Sequence, residues 1–158
     1  MKLLILNGPN LNLLGSREPD IYGRESYDTL CQQIYRHAAD IGCTAEVFQS
    51  NHEGTLIDAI QAAQSGYSGI VINPGAYAHY SYAIYDALRA VDVPAVEVHI
   101  SDITAREPFR AVSVTAPACV KVICGHGLRG YLEAMDYLKA HAPERDGASC
   151  GGCGGACV

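Results

Sequence analysis

The sequence predicts an α/β fold, an open sheet of parallel strands with helices wound over both faces. Five short runs rich in Val, Ile and Leu recur along its 158 residues, and near-continuous apolar runs mark strands buried on both faces, as in a parallel sheet covered by helices. Between these runs lie longer segments whose apolar residues recur at helical spacing. No internal repeat and no linker interrupts the alternation before position 142.

KLLILN, residues 2 to 7, is the first strand. From Ser26 the chain turns helical, with Leu30, Ile34, Ala38 and Ile41 on one face and Gly42 placed to end the helix. AEVFQS (45 to 50) leads to a helix carrying Leu56, Ile57, Ile60 and Ala63, stopped near Gly66. GIVIN (69 to 73) leads to a third around Ile84, Ala87, Leu88 and Val91. PAVEVH (94 to 99) and VKVIC (120 to 124) come next, then a last helix through Leu128, Tyr131, Leu132, Met135 and Leu138. Five such units suit a flavodoxin-like doubly wound five-stranded parallel sheet.

The length fits one domain, which would bury roughly two thirds of its unfolded surface. Residues 1 to 141 are read as that domain, and APERDGASCGGCGGACV (142 to 158) as a flexible tail. A net charge of −6 argues against nucleic acid or an anionic membrane as partner. The four-residue apolar run after Lys2 is too short for a signal-peptide core, and no stretch approaches the ~18 apolar residues of a membrane span. A soluble, cytoplasmic protein is expected. Of seven cysteines, Cys31, Cys43, Cys119 and Cys124 fall in periodic apolar segments and read as core thiols; Cys150, Cys153 and Cys157 lie in the tail. Nothing marks the secretion that a disulfide framework would require.

In a doubly wound sheet ligands bind beyond the carboxyl ends of the strands. Asn7 and Asn10 stand after the first strand, Gln49 to Glu53 after the second, Asn73 to His79 after the third, and His99 to Ser101 after the fourth. Turn chemistry accounts for Gly8, Pro9, Pro74 and Gly75. It accounts less well for Asn73, His79, Glu97 and His99 at one edge.

His52, His79, His99 and Glu97 are metal-ligand types without a paired spacing, so no metal is expected. NGPNLN places Pro9 where a phosphate cradle needs an N–H, and a P-loop Lys is absent. A phosphorelay receiver would need acids after the first and third strands and a Lys after the fifth, where Asn7, Asn73 and Gly125 stand. Acid–base chemistry remains. The charged segment GSREPDIYGRES (15 to 26) is a candidate lid carrying Arg17 and Tyr22. Using Tyr as a base means lowering its pKa by about 3 units, or roughly 4 kcal/mol. A guanidinium ~4 Å away supplies about that much at an effective dielectric near 20.

Taken together, N-G-P-N-L-N (7 to 12), G-S-R-E-P-D-I-Y-G (15 to 23), Q-S-N-H-E-G (49 to 54), I-N-P-G-A-Y-A-H (72 to 79), V-E-V-H-I-S (96 to 101) and R-E-P-F-R (106 to 110) resemble the type II 3-dehydroquinate dehydratases over residues 1 to about 141. The resemblance implies a flavodoxin-like fold, assembly as a dodecamer of four trimers, and cofactor-free removal of water from 3-dehydroquinate. Its catalytic candidates are Tyr22 as the base at C2, Arg17 lowering the pKa of Tyr22, Asn10 stabilising the enolate through a water, His99 protonating the departing C1 hydroxyl, and Glu97 holding the imidazole. Its substrate-binding candidates are Asn73, Gly75, His79, Asp86, Ile100, Ser101 and Arg110. The backbone N–H groups of Ile100 and Ser101 would grip the carboxylate, and Arg106 would link subunits through Asp86.

Three positions depart from the family's usual pattern. Tyr80 stands where Ser or Thr is usual and is expected to narrow the pocket or alter the trimer contact; Tyr85 stands where Arg is often found, and Asp102 where Asn is common. The alternative reading, from another class, is a non-catalytic flavodoxin-like module that binds a small hydroxy acid or a flavin.

Overall fold

The computed structural model describes residues 1–16, 25–105 and 107–142. Strands β1 (Lys2–Asn7), β2 (Thr44–Gln49), β3 (Gly69–Asn73), β4 (Ala95–His99) and β5 (Lys121–Cys124) alternate with helices α1 (Tyr27–Asp40), α2 (Glu53–Ala62), α3 (Tyr82–Ala90) and α4 (Arg129–His141), except between β4 and β5, where the described residues form only short 3-10 turns. All strand pairs are parallel, in the order β2-β1-β3-β4-β5. This is the flavodoxin-like doubly wound arrangement read from the sequence, with element ends moved by a residue or so. Pro94, expected to open the fourth strand, accepts a bond from Ile70 N through its carbonyl but has no N–H to give, so β4 starts at Ala95.

The pleat sends successive side chains of a strand to opposite faces. Leu3 and Ile5 pack with Leu30 and Ile34 of α1 and Met135 and Leu138 of α4. Leu4 and Leu6 pack with Leu56 and Ile60 of α2 and Ile84 and Leu88 of α3. Each fully buried Leu or Ile contributes about 1.5–3 kcal/mol of transfer free energy, which is why apolar periodicity fixes the layers. Ser26 and Ser81 cap α1 and α3, their Oγ atoms accepting from Thr29 N at 3.1 Å and Ile84 N at 2.9 Å.

The expectation of two-sided burial holds for β1, β3 and β4 and fails at the edges. Val120 and Val122 are 55% and 40% exposed beside β5, and β2 is only partly covered. An edge strand has a neighbour on one side only, so an apolar run there need not be covered.

Candidate active site

β1 and β3 end in register at Asn7 and Asn73, where the strand order reverses and a crevice opens. Both asparagines are buried. Tyr131 of α4 reaches them through the core: its hydroxyl donates to Asn7 Oδ1 at 2.7 Å and accepts from Asn73 Nδ2 at 2.9 Å. Burial pushes the Tyr131 phenol well above its ordinary pKa, so it stays a donor. With Nδ2 turned inward, Asn73 Oδ1 accepts from Gly75 N at 3.1 Å. The loops after the two strands touch so closely that a Cβ on Gly8 would lie 2.3 Å from the Pro74 carbonyl oxygen, and only glycine fits there.

The next turn puts Asn10 in the left-handed region at φ 67°, the one non-glycine residue there among those described. Such a backbone costs free energy and persists where its surroundings impose it. Here Asn10 N donates to Asn51 Oδ1 at 2.9 Å, Gln49 Nε2 donates to both Asn51 Oδ1 and Gly8 O, and Tyr77 Oη donates to Asn51 O at 2.8 Å.

At the end of β4, Glu97 has no exposed surface and His99 almost none. His99 Nε2 lies 2.7 Å from Glu97 Oε1. Burial would raise the Glu97 pKa, but hydrogen bonds from His99, Ser113 and Thr115 outweigh it and hold the carboxyl below its usual range. An ionised carboxylate only accepts, so Nε2 carries the proton and Nδ1 is left for the pocket that His99 lines.

That pocket is a cavity of about 100 Å³. Leu11, Leu14, Ile100 and Ile103 supply apolar wall, and Asn10, Asn73, His79, His99, Ser101 and Arg110 converge on it with Gly75. His79 Nδ1 donates to the Val112 carbonyl at 2.9 Å, which fixes the ring. Arg110 is held by Glu107 at 3.0 Å and brings the only formal charge among the described lining residues. The wall therefore suits a small polyhydroxylated anion.

The other expected residues lie elsewhere. Glu97 sits behind His99, and Asp86 is on the exposed face of α3, away from this pocket. Arg17, Tyr22 and Arg106 lie outside the described residues, as do Cys150, Cys153 and Cys157. The loop's described ends, Gly15 and Glu25, meet one another just after Leu13 and Leu14 of the pocket wall. Tyr80 does not narrow the pocket: it is 60% exposed and packs edge-on against Tyr77 at 5.6 Å. Asp102 accepts from Thr104 N and Oγ1, which lowers its pKa and closes a local turn. Among the described residues no His, Cys, Asp and Glu group gathers in a metal-binding cluster, and no helix is long and apolar enough to cross a membrane.

Sequence reasoning gave no role to Tyr131, Ser113 or Thr115. A tyrosine on the sheet-facing side of a helix is a usable signal, because its hydroxyl must find a partner when the ring is buried. The two hydroxyl residues had none.

Fold and pocket define a class: an α/β domain whose buried carboxylate–imidazole pair and polar cavity lie at the carboxyl edge of a doubly wound sheet. The family model for class II dehydroquinases matches residues 1–139. The 3-dehydroquinate dehydratase of Clostridium acetobutylicum is 54% identical over 139 residues, covering 88% of this chain and 96% of its own. That of Caldicellulosiruptor saccharolyticus is 55% identical, covering 87% and 96%. The crystal structure of type II dehydroquinase from Butyrivibrio crossotus superposes with a TM-score of 0.86 at 54% identity, covering 87% of this chain and 97% of that one. The chain belongs to the class II dehydroquinase family and is an enzyme, a hydro-lyase.

Proposed function

We propose that the chain removes water from 3-dehydroquinate to give 3-dehydroshikimate through an enolate, without metal or organic cofactor, in aromatic amino-acid biosynthesis. The observation that carries the reading is the buried Glu97–His99 pair opening on a pocket with Arg110 on its wall. Tyr22, its pKa lowered by Arg17, takes the proton from C2 beside the ketone. Asn10, through a water, and the polar groups around Asn73 stabilise the enolate oxygen with dipoles already in place. His99 then delivers a proton from Nδ1 to the C1 hydroxyl as it leaves, while Nε2–H stays on Glu97 and the carboxylate stabilises the imidazolium. Atoms balance: Tyr22 keeps the C2 proton, the hydroxyl leaving C1 takes the His99 proton and departs as water, and proton exchange with solvent resets both side chains.

The substrate carboxylate takes the N–H groups of Ile100 and Ser101 and the Ser101 hydroxyl, just past the end of β4. Arg110, His79, Asn73 and Gly75 hold the ring hydroxyls and ketone. Residues 1–141 act as one catalytic domain, a proposal supported by a family match that runs to residue 139. The assembly is a dodecamer of four trimers in the cytoplasm, with Asp86 serving a neighbouring subunit's site through Arg106. The exposed position of Asp86 is what supports this last step.

The test tracks the conjugated enone product by absorbance after mixing chelator-treated protein with 3-dehydroquinate. Turnover that collapses in Tyr22→Phe is expected. A folded wild type with no turnover would overturn the reading and leave a binding module.

A further inference from the structure

The segment after Arg110 returns beneath the pocket and reaches Glu97. Ser113 Oγ donates to Glu97 Oε1 at 2.6 Å and Thr115 Oγ1 donates to Oε2 at 2.5 Å. The segment is pinned to the wall after β3, with Val114 N donating to Ala78 O at 2.7 Å and His79 to Val112 O at 2.9 Å. Ala116 N donates to Ser113 Oγ at 3.2 Å. The other acceptors near the Ser113 hydroxyl are farther off, Thr115 Oγ1 at 3.1 Å and Ala78 O at 3.5 Å. The Ser113 proton is therefore committed to the carboxylate.

We propose that Ser113 and Thr115 are positioning residues of the dehydratase, holding Glu97 ionised and oriented so that Oε1 faces His99 Nε2 and the imidazole presents Nδ1 to the substrate. The inference rests on the reading of His99 as the acid.

A carboxylate with no exposed surface has no water to replace a lost donor, and its oxygens are satisfied by His99, Ser113 and Thr115 alone among the described residues. Losing a hydroxyl favours the protonated form. A neutral Glu97 no longer favours an imidazolium beside it, so less of the proton donor is present. Among the described residues, the other titratable groups that feel Glu97 are Cys119 and Cys124, whose thiols burial pushes up and keeps neutral.

Ser113→Ala, Thr115→Val and Thr115→Ser separate positioning from mere structure. Carbon-13 NMR of labelled Glu side chains, with Glu97 assigned by Glu97→Gln, reads the carboxyl directly. In Ser113→Ala and Thr115→Val its titration is expected to move up by about one unit. The acid limb of the kcat profile should move with it, kcat should fall about tenfold, and KM should stay within about twofold. Thr115→Ser keeps the hydroxyl and should restore both. Folded variants whose Glu97 titration and acid limb do not move overturn the proposal, however much kcat drops. If Ser113→Ala fails to fold, the isosteric Thr115→Val decides. Should wild type show no turnover while the Glu97 titration still shifts in the variants, the dehydratase reading falls and the hold on Glu97 stands.

Discussion

Two buried polar clusters lie side by side at the carboxyl edge of the sheet, and they differ in charge. The Asn7–Tyr131–Asn73 cluster is neutral: a single phenol bridges two amides and fixes which way each one points. The Glu97 cluster is ionised, and one carboxylate collects three donors from His99, Ser113 and Thr115. A neutral cluster sets the direction of dipoles, whereas a charged one sets the energy of a proton. The first shapes the cradle after β3, and the second, in the proposed mechanism, prepares the acid. Losing a member of the first should be felt mainly in stability, and losing a member of the second mainly in rate.

The largest expected effect is on the charged side. His99→Ala removes the proton donor and should lower kcat about a thousandfold in the enone assay, within the span of general acid catalysis, and by taking a donor from the buried carboxylate should also cost about 1–3 kcal/mol in urea unfolding. A fall of less than tenfold would remove the acid from this cluster. Glu97→Gln keeps the shape and removes the charge, so kcat should fall about a hundredfold.

The same residue governs acid stability. The Glu97 pKa is lowered by folding, so its contribution is complete above the ordinary carboxylate pKa, about 4.3, and is lost as pH falls through the lower folded-state value. Urea titrations from neutral pH into that acid range should show wild type losing stability more steeply than Glu97→Gln. Equal slopes would mean that the carboxylate is not held ionised.

On the neutral side, Tyr131→Phe takes from Asn7 Oδ1 and Asn73 Nδ2 the hydroxyl they share and should cost about 1–3 kcal/mol of stability, with kcat changed less than in either variant above. Thermal melts and the enone assay on one preparation check both halves; a rate loss equal to that of Glu97→Gln would erase the contrast. Smallest of all, Tyr80→Ser removes an exposed ring packed only edge-on in this chain, and the isolated subunit's stability should move by no more than about 0.5 kcal/mol.

Much of the molecule could be read before folding. Leu30, Ile34 and Ala38 on α1, or Leu3 to Leu6 on β1, declare their elements because burial tracks the period of the backbone. Asn10, Asn73, His79, His99 and Ser101 were reachable from the residues just past each strand, since a doubly wound sheet brings those ends together. The same logic missed edge exposure at Val120 and Val122, because periodicity reports an apolar run but not whether a neighbour covers it. It also offered Tyr80, beside His79, as narrowing the pocket or altering a trimer contact, and the first fails because the ring is exposed and does not line the pocket.

The chain alone determined the five strands, the four helices, the parallel character of the sheet and the edge on which chemistry gathers, because these stem from local periodicity and a handed, short-looped topology. Only the tertiary structure decided that Ser113 and Thr115 serve Glu97 across 16 and 18 residues, and that Tyr131 serves Asn7 across 124. A hydroxyl carries no mark of its partner in sequence. Its role is fixed when burial removes water and leaves one acceptor within closest reach.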